Sequence, residues 1–294
     1  MFFVFLMYAL FASIFPIGKM TLSYTSPFFL TAIRMLLAGG ILLTYQAFRY
    51  PQHFYLKREH IPLLLGITVF NVFITNSFEF WSLQYLSAGN TSLIYTLTLF
   101  FSMLLGYFFL DERMNKQKWL GLSIGLSGAL PIFWNDFALS LPEILMAIAA
   151  FTAALGWVLV KLLRNHYDYP IIMLNGISFL GGGLISLTTS LLIEPWDPLP
   201  ILSWTPFLLG LLYITLIHNV LCYHIYATSL NRFSVTFMSY AGITNPLFAA
   251  IIGWLLLGET VSLNFFIALL LVTLGLTLFS SEEQLKRKKA MSES

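Results

Sequence analysis

Apolar residues run through the chain in long stretches that are separated by short polar connections. A helix needs about 20 mostly apolar residues to cross the hydrocarbon core of a membrane. Ten stretches of this kind predict ten transmembrane helices with no soluble domain between them. The predicted spans cover residues 2–18, 26–48, 61–86, 88–110, 118–134, 142–163, 170–193, 203–228, 233–257 and 262–280.

The two ends of the chain differ in character. The first apolar stretch begins at Met1 without the basic segment that opens a secretory signal peptide, so we interpret it as a retained first span. Residues 282–294 are polar and charged and are interpreted as a solvated tail. The composition supports a membrane protein, because only 10% of the residues are charged, against roughly 25% in soluble domains.

The positive charges predict the orientation of the spans. Of the 15 Lys and Arg residues, thirteen lie in the even-numbered connections and the tail, Lys19 lies on the opposite side, and Arg34 lies inside a span. Cytoplasmic loops of membrane proteins are enriched in Lys and Arg. The sequence therefore predicts a multi-pass protein of a bacterial-type inner membrane, with both termini cytoplasmic and the lipid bilayer as its surroundings. The net charge of +2 gives no reason to expect a nucleic-acid partner.

An internal repeat is visible in the sequence. The segment from Tyr107 to Glu112 (YFFLDE) matches the segment from Trp254 to Glu259 (WLLLGE) at an offset of 147 residues. At an offset near 142, Ala12, Phe15 and Lys19 match Ala154, Trp157 and Lys161. Each half then holds five spans, and an odd number inverts the second half relative to the first. We expect two inverted five-helix repeats, residues 1–135 and 136–281, followed by the tail, and a site at their interface.

These motifs resemble the EamA-type drug/metabolite transporter superfamily. The resemblance rests on Phe109-Leu-Asp-Glu112 and Leu256-Leu-Gly-Glu259, each followed by a glycine-bearing helix, and on Ser26-Pro27 with Arg34 and Asn245-Pro246. It covers the chain from its start to about residue 281. It implies a five-plus-five helix fold around a central cavity, and a carrier for amino acids, nucleotide-type metabolites or drugs.

The two halves differ at two positions where the repeat would match. Leu99 stands opposite Pro246, and Ile177 stands opposite Arg34. We therefore expect the halves to be non-equivalent.

Arg34 and Glu79 are charged residues inside predicted spans. A charge near the middle of a span costs about 2.5–3.5 kcal/mol on insertion scales, so such charges usually face protein or water and have a partner. If the third span ends at residue 86, both lie at a matching depth of about 10–12 Å on adjacent helices. The interpretations are a structural ion pair, a role for Glu79 in binding substrate or a coupling proton, and separate roles for two unpaired residues.

Polar side chains recur at helical spacing in four spans. At 3.6 residues per turn, each set falls on one helix face. Together they predict a wet central cavity, although single stripes can also serve hydrogen bonds between helices. The stripes comprise Asn71, Thr75, Glu79 and Ser82, with Asn76 beside them; Thr91, Tyr95, Thr98 and Ser102; Thr215, His218, Asn219, Cys222, Tyr226 and Ser229; and Thr236, Tyr240, Thr244 and Asn245.

Aromatic residues are interleaved with the polar stripes. Rings stack on planar groups and attract cations, so an aromatic cage with one carboxylate would suit a cationic or heteroaromatic metabolite. The alternative is that each ring only packs or faces lipid. The candidate substrate contacts are Glu79, Arg34, Asn76, Tyr95, Trp157, His218, Asn219, Tyr223, Tyr240 and Asn245.

Several other features have structural interpretations. Pro16 and Pro246 predict helix breaks that act as hinges, ligand contacts or simple kinks. The run from Gly181 to Gly183 predicts close helix packing, because it lacks the surroundings of a phosphate loop. Glu259 is expected to bond to a helix end. His and Cys spacing predicts no metal site, and no cofactor is expected.

Three functional classes compete. A carrier explains ten spans, an inverted repeat and converging polar stripes. A membrane-embedded lipid-modifying enzyme would need a nucleophile–base pair or clustered Asp and His near an interface, and a structural or receptor-like protein would not need a buried Arg and Glu. We expect a secondary transporter that works by uniport, by exchange or by coupling to an ion such as the proton. Its best single substrate is a metabolite of the S-adenosylmethionine type, exchanged for its demethylated product, with amino-acid or drug export as the alternative.

Overall fold

The computed structural model is helical, with one isolated β-bridge between Thr25 and Ile201 in the part that it describes. It describes residues 2–53, 55–110, 114–133, 140–167, 169–222, 225 and 242–292. The α-helices are α1 (Phe2–Ala12), α2 (Ile14–Leu22), α3 (Pro27–Arg49), α4 (Ile61–Gly66), α5 (Thr75–Leu83), α6 (Ala88–Tyr95), α7 (Leu97–Phe109), α8 (Lys116–Ser127), α9 (Leu130–Phe133), α10 (Leu141–His166), α11 (Ile171–Ile193), α12 (Trp204–Tyr213), α13 (Thr244–Leu257) and α14 (Leu263–Ser292). Two segments are π-helical, π1 (Ile67–Ile74) and π2 (Ile214–Cys222), and two are 3-10 turns, Pro51–His53 and Arg58–His60.

Long apolar helices show that this is an all-helical membrane protein. Six helical stretches in the described residues are long and apolar enough to cross a membrane, and two further apolar helices are shorter. The long stretches are Val4–Leu22, Pro27–Arg49, Arg58–Leu83, Ala88–Phe109, Leu141–Arg164 and Ile171–Ile193, and the shorter ones are Thr244–Leu257 and Leu263–Phe279.

Several predicted boundaries differ from the structure; the first span, for example, ends at Leu22 rather than residue 18. The third predicted span ends at Leu83 rather than residue 86, because a turn follows and Ser87 caps the next helix by accepting a bond from Asn90 N. The last helix continues through the predicted tail to Ser292. The tail is rich in Glu, Leu, Lys, Arg and Ala, which favour helix, so a polar segment need not be irregular.

Single-residue interruptions divide three of the apolar stretches. The breaks fall at Ser13, Thr96 and Ile243. Pro16 and Pro246 each follow a break by three residues, and a proline ring clashes with the carbonyl of the preceding turn. At Thr96 the corresponding position holds Leu99. Thr96 and Ile243 are 147 residues apart, so the backbone is interrupted alike at these positions, with or without proline.

The two π-helices are separated by the same offset. π1 begins at Ile67 and π2 begins at Ile214, 147 residues later. A π-helix is rare and often marks a functional site. Each one follows an α-helix without a break, α4 before π1 and α12 before π2.

Glycines hold α11 against α3 and π1. A methyl group at Gly39 would lie 2.8 Å from Leu180 N, and one at Gly183 would lie 3.0 Å from Leu36. At Gly182 it would collide with Val72 of π1. These contacts confirm the prediction that the run from Gly181 to Gly183 serves close helix packing.

An ion pair with two further hydrogen bonds joins α2, α6 and the segment after α13. Lys19 Nζ donates to Leu86 O over 2.6 Å and to Glu259 Oε1 over 2.8 Å. Ala88 N, at the start of α6, donates to Glu259 Oε2 over 2.7 Å. This confirms that Glu259 bonds to a helix end. We call this end of the bundle the Lys19 end.

Glu194 caps the start of α3 as Glu259 caps the start of α6. Its two carboxylate oxygens accept bonds from Phe28 N (2.8 Å) and Phe29 N (3.0 Å) at the start of α3. The chain around it is tied to the loop before α3, where Leu202 N donates to Tyr24 O over 2.9 Å. The starts of α3 and α6 are therefore both capped by carboxylates from the second half of the chain.

Candidate functional site

The junction of π1 with α5 orients Asn76. Where a π-helix passes into an α-helix, the hydrogen-bond ladder shifts and side chains can bind the carbonyls it leaves. Asn76 Nδ2 donates to Val72 O over 2.8 Å and to Asn71 O over 3.2 Å, and Thr75 Oγ1 donates to Phe70 O over 2.8 Å. Because the amide nitrogen is held by the backbone, the amide oxygen of Asn76 is left to accept a bond from elsewhere.

Arg34 provides that bond. Its Nη2 donates to Asn76 Oδ1 over 2.7 Å, and its Cζ lies 4.5 Å from the centroid of the Phe80 ring. The side chain is buried, with 1% exposure. A cation over an aromatic ring gains more when it is desolvated. The guanidinium is thus fixed by one amide and one ring, both on α5.

Glu79 lies between Asn76 and Phe80 in sequence and is 6% exposed. The Arg34 charge is near enough to act on its carboxylate. In the described part of the chain, however, no ion pair within 4.0 Å joins Glu79 to Arg34.

The end of α5 at Leu83 explains why Asn76, rather than Glu79, lies level with Arg34. Arg34 lies seven residues after Pro27, and Asn76 lies seven residues before Leu83. At 1.5 Å per residue both are about 10 Å from the Lys19 end of their helices. Glu79 lies only four residues before Leu83, which puts it about one turn closer to that end.

His218 and Asn219 lie on π2, which packs against α1, α2 and α3. His218 Nδ1 lies 2.9 Å from Asn219 Oδ1, an atom that can only accept, so the histidine donates. The His218 ring meets Phe11 edge-on at 5.3 Å, and the Arg34 charge acts on it as well. These relationships bring Arg34, Glu79 and His218 into one electrostatic neighbourhood.

Buried polar atoms without a hydrogen-bond partner occur on several of the helices around this cluster. Asn219 is 9% exposed and Thr215 is 2% exposed, and Asn219 Nδ2 and Thr215 Oγ1 have no partner. Ser82 Oγ and Asn245 Oδ1 also have no hydrogen-bond partner among the described residues. Buried polar groups are nearly always hydrogen-bonded, and an exception in a native protein calls for an explanation such as water or a ligand.

The remaining predicted contacts are more scattered. Tyr95 lies beside the Thr96 break, with its ring 6.3 Å from that of Phe15. Trp157 on α10 is 39% exposed, in contrast to the buried cluster. Tyr223 and Tyr240 lie outside the described residues.

The polar stripe predicted for the third span does not form one face. Thr75 Oγ1 lies 2.9 Å from Thr152 Oγ1 and 3.3 Å from Ala149 O, so Thr75 faces α10. Glu79, the next member of the stripe, lies near Arg34 of α3 instead. A π-helix rotates less per residue than an α-helix, and a spacing of 3.6 therefore cannot be extended through π1.

Sequence reasoning missed two of the aromatic contacts. Phe80 supports Arg34, and Phe11 supports His218. The available signal for Phe80 was its position one turn after Asn76, because residues four apart share a helix face. In the described residues, no group of three His, Cys, Asp or Glu side chains could hold a metal ion.

Comparison with known proteins places the chain among membrane transporters. Curated relatives include the S-adenosylmethionine/S-adenosylhomocysteine transporter of Chlamydia muridarum, 32% identical over 96% of this chain and 92% of the relative. They also include a probable amino-acid metabolite efflux pump of Salmonella typhimurium, 27% identical over 84% of this chain and 83% of the relative.

A solved crystal structure shares the fold, with a TM-score of 0.63 at 17% identity, over 94% of this chain and 93% of that one. The model of the EamA-like transporter family matches twice, at residues 1–134 and 140–281. With these matches covering nearly its whole length, the chain belongs to the EamA-like transporter family.

Proposed function

We propose that this protein is a secondary transporter that exchanges an S-adenosylmethionine-type metabolite for its demethylated product across a bacterial inner membrane. The carrying observation is the buried cluster of Arg34, Asn76 and Glu79, which presents a cation and a carboxylate in the membrane interior without a direct ion pair. The Chlamydia relative, by its name, transports this kind of metabolite and its product.

The chemistry of the cluster fits the parts of such a substrate. The substrate has an amino-acid end with a carboxylate, a sulfonium cation and a planar adenine ring. Arg34 offers a positive charge for the carboxylate, and Glu79 offers a negative charge for the sulfonium or ammonium. Asn219 Nδ2 offers a buried donor, and Tyr95 offers a ring for stacking. In this proposal His218, Trp157, Tyr223, Tyr240 and Asn245 complete the contacts.

We further propose ten spans in two inverted five-helix repeats, residues 1–135 and 136–281, around a central cavity, with both termini cytoplasmic. The support is the common offset of 147 residues between the two π-helices and between the breaks at Thr96 and Ile243. Discontinuous helices near the midplane are typical of binding sites in transporters built from repeats.

Transport by the purified protein in proteoliposomes tests the proposal. Vesicles are loaded with S-adenosylhomocysteine, and the uptake of radiolabelled S-adenosylmethionine is followed. We expect saturable uptake that depends on the internal product and is lost in Arg34→Ala. Protein-free vesicles and vesicles without internal product serve as controls. The absence of uptake by well-folded protein, with or without internal product, would contradict the proposal.

Amino-acid export is the second candidate, because the Salmonella relative is named as an amino-acid metabolite efflux pump. The same vesicles distinguish the two functions by competition. An excess of S-adenosylhomocysteine should block uptake if the first proposal holds. Efflux of preloaded amino acids that S-adenosylhomocysteine does not inhibit would favour the second.

A further inference from the structure

Glu79 is a buried carboxylate for which the described residues supply no hydrogen-bond donor. It is 6% exposed, and none of the ion pairs within the described residues includes its carboxylate. The polar atoms beside it are directed to other groups: the Asn76 amide nitrogen donates to the carbonyls of Asn71 and Val72, and Arg34 Nη2 donates to Asn76 Oδ1. A buried charge normally requires a paired, hydrogen-bonded partner. The structure thus leaves Glu79 without the direct partner that its ionised form would need.

The charged and titratable groups on the elements packed against α5 do not replace that partner. Lys19 on α2 is paired with Glu259, and Glu143 binds Ser140 at the exposed start of α10. Lys161 and Arg164 lie near the far end of α10, and Tyr95 lies on α6. Arg34, which bonds Asn76 and lies over the Phe80 ring on the same helix as Glu79, is the cation beside this carboxylate.

We infer that Glu79 balances charge during exchange: it is ionised beside the cationic substrate and takes up a proton when the neutral product is bound. The inference rests on the proposed function. A carboxylate in an apolar site is kept ionised by a nearby cation and is otherwise protonated. S-adenosylmethionine carries one more positive charge than S-adenosylhomocysteine, because methyl loss converts the sulfonium into a thioether.

The exchange then balances in atoms and charge. On the side where the substrate binds, the cation displaces the Glu79 proton, which is released to the water on that side. On the opposite side the substrate leaves, the neutral product binds, and Glu79 takes a proton from the water there. One cation moves inward while one proton moves outward with the product. The complete cycle therefore transfers no net charge across the membrane.

The test measures whether exchange responds to a membrane potential. Wild-type proteoliposomes loaded with S-adenosylhomocysteine are given a potassium gradient and valinomycin, and a pH-sensitive dye reports protons. We expect the final accumulation of S-adenosylmethionine to be independent of the potential, with one proton released outside per substrate taken up. Glu79→Gln removes the proton carrier, so any remaining exchange should move one charge. Its accumulation ratio should change about tenfold for each 59 mV of imposed potential.

Two further variants serve as controls. Glu79→Asp keeps a carboxylate at the site and should preserve the proton release. Glu143→Gln makes the same chemical change at the exposed start of α10 and should remain insensitive to the potential. If Glu79→Gln does not fold, the wild-type proton count and potential dependence still decide the question.

The outcomes separate this inference from the proposed function. Potential-dependent exchange in the wild type without proton release would overturn the role of Glu79 while leaving the transporter intact. The role of Glu79 would also be overturned if Glu79→Gln exchanged the two metabolites without moving net charge, which is the behaviour expected of the wild type. Absence of S-adenosylmethionine transport in well-folded wild-type protein would overturn both.

Discussion

Arg34 on α3 and Asn76 on α5 lie at the same depth and are joined by a 2.7 Å hydrogen bond. The bond is set up from the backbone, because the π1 carbonyls bind the Asn76 amide nitrogen and leave its oxygen facing the guanidinium. The amide orients the cation without cancelling its charge.

Replacement of Asn76 by Ala should destabilise the protein. The change removes a hydrogen bond to a charged group, worth about 1.5–3 kcal/mol, and removes the donor for two carbonyls. We expect a lower melting temperature in detergent and loss of uptake in proteoliposomes. Thr188→Ala is the matched control, since Thr188 is exposed and bonds only within its own helix, to Leu184 O. Equal melting temperatures for the two variants would show that the amide does not hold Arg34.

Proline should be tolerated at Leu99 better than elsewhere in α7. The helix is already interrupted at Thr96, and Leu99 corresponds to Pro246 in the second half. Leu99→Pro removes the bond from Leu99 N to Thr96 O and should cost about 1 kcal/mol. Met103→Pro, one turn later in the intact helix, should cost about 3 kcal/mol or more. Thermal unfolding of both variants checks the order.

The reciprocal change tests the cause of the second break. Pro246→Leu should keep the interruption at Ile243 and lower the melting temperature little, because the break at Thr96 occurs without proline. A large loss of stability in Pro246→Leu would indicate that proline itself is required in the second half.

Loss of Glu259 should lower the melting temperature more than loss of Lys19, its partner in the ion pair at the Lys19 end. Both side chains are partly exposed, so the ion pair is worth up to about 1 kcal/mol. Glu259→Ala also removes the acceptor for Ala88 N, which adds about 1 kcal/mol for a lost helix cap. Lys19→Met and Glu259→Gln should therefore melt above Glu259→Ala. Lys19→Met melting at or below Glu259→Ala would contradict the capping role.

Reporter fusions test the proposed orientation. Fusions at Arg58, Lys116, Arg164, Arg232 and the C-terminal tail should report the cytoplasm. Fusions near Asp136 and Asp197 should report the opposite side. An alkaline phosphatase and a fluorescent protein at each site give complementary signals, and a reversed pattern would refute the orientation.

Periodicity and hydropathy were sufficient for the helical class, the bounds of several spans and the tight packing at the Gly181–Gly183 run. They placed Arg34 inside a span. They also put Glu79 at the same depth as Arg34, which is wrong because the third span was extended to residue 86 and ends at Leu83. A turn that follows Leu83 depends on the capping of the next helix by Ser87. That local competition between two helix ends is not visible in hydropathy.

The π-helices could not be predicted from the spacing of polar residues. A change of hydrogen-bond register is set by contacts between helices, such as the close approach of Gly182 to Val72 in π1.

The two carboxylate caps at the starts of α3 and α6 have a consequence for anion binding. The first amides of a helix form a partial positive charge that attracts phosphate and other anions. Glu194 and Glu259 already occupy these amides at the Lys19 end. A phosphate group that approaches either helix start therefore meets amides already bound to a carboxylate, and it would bind there only by displacing that carboxylate.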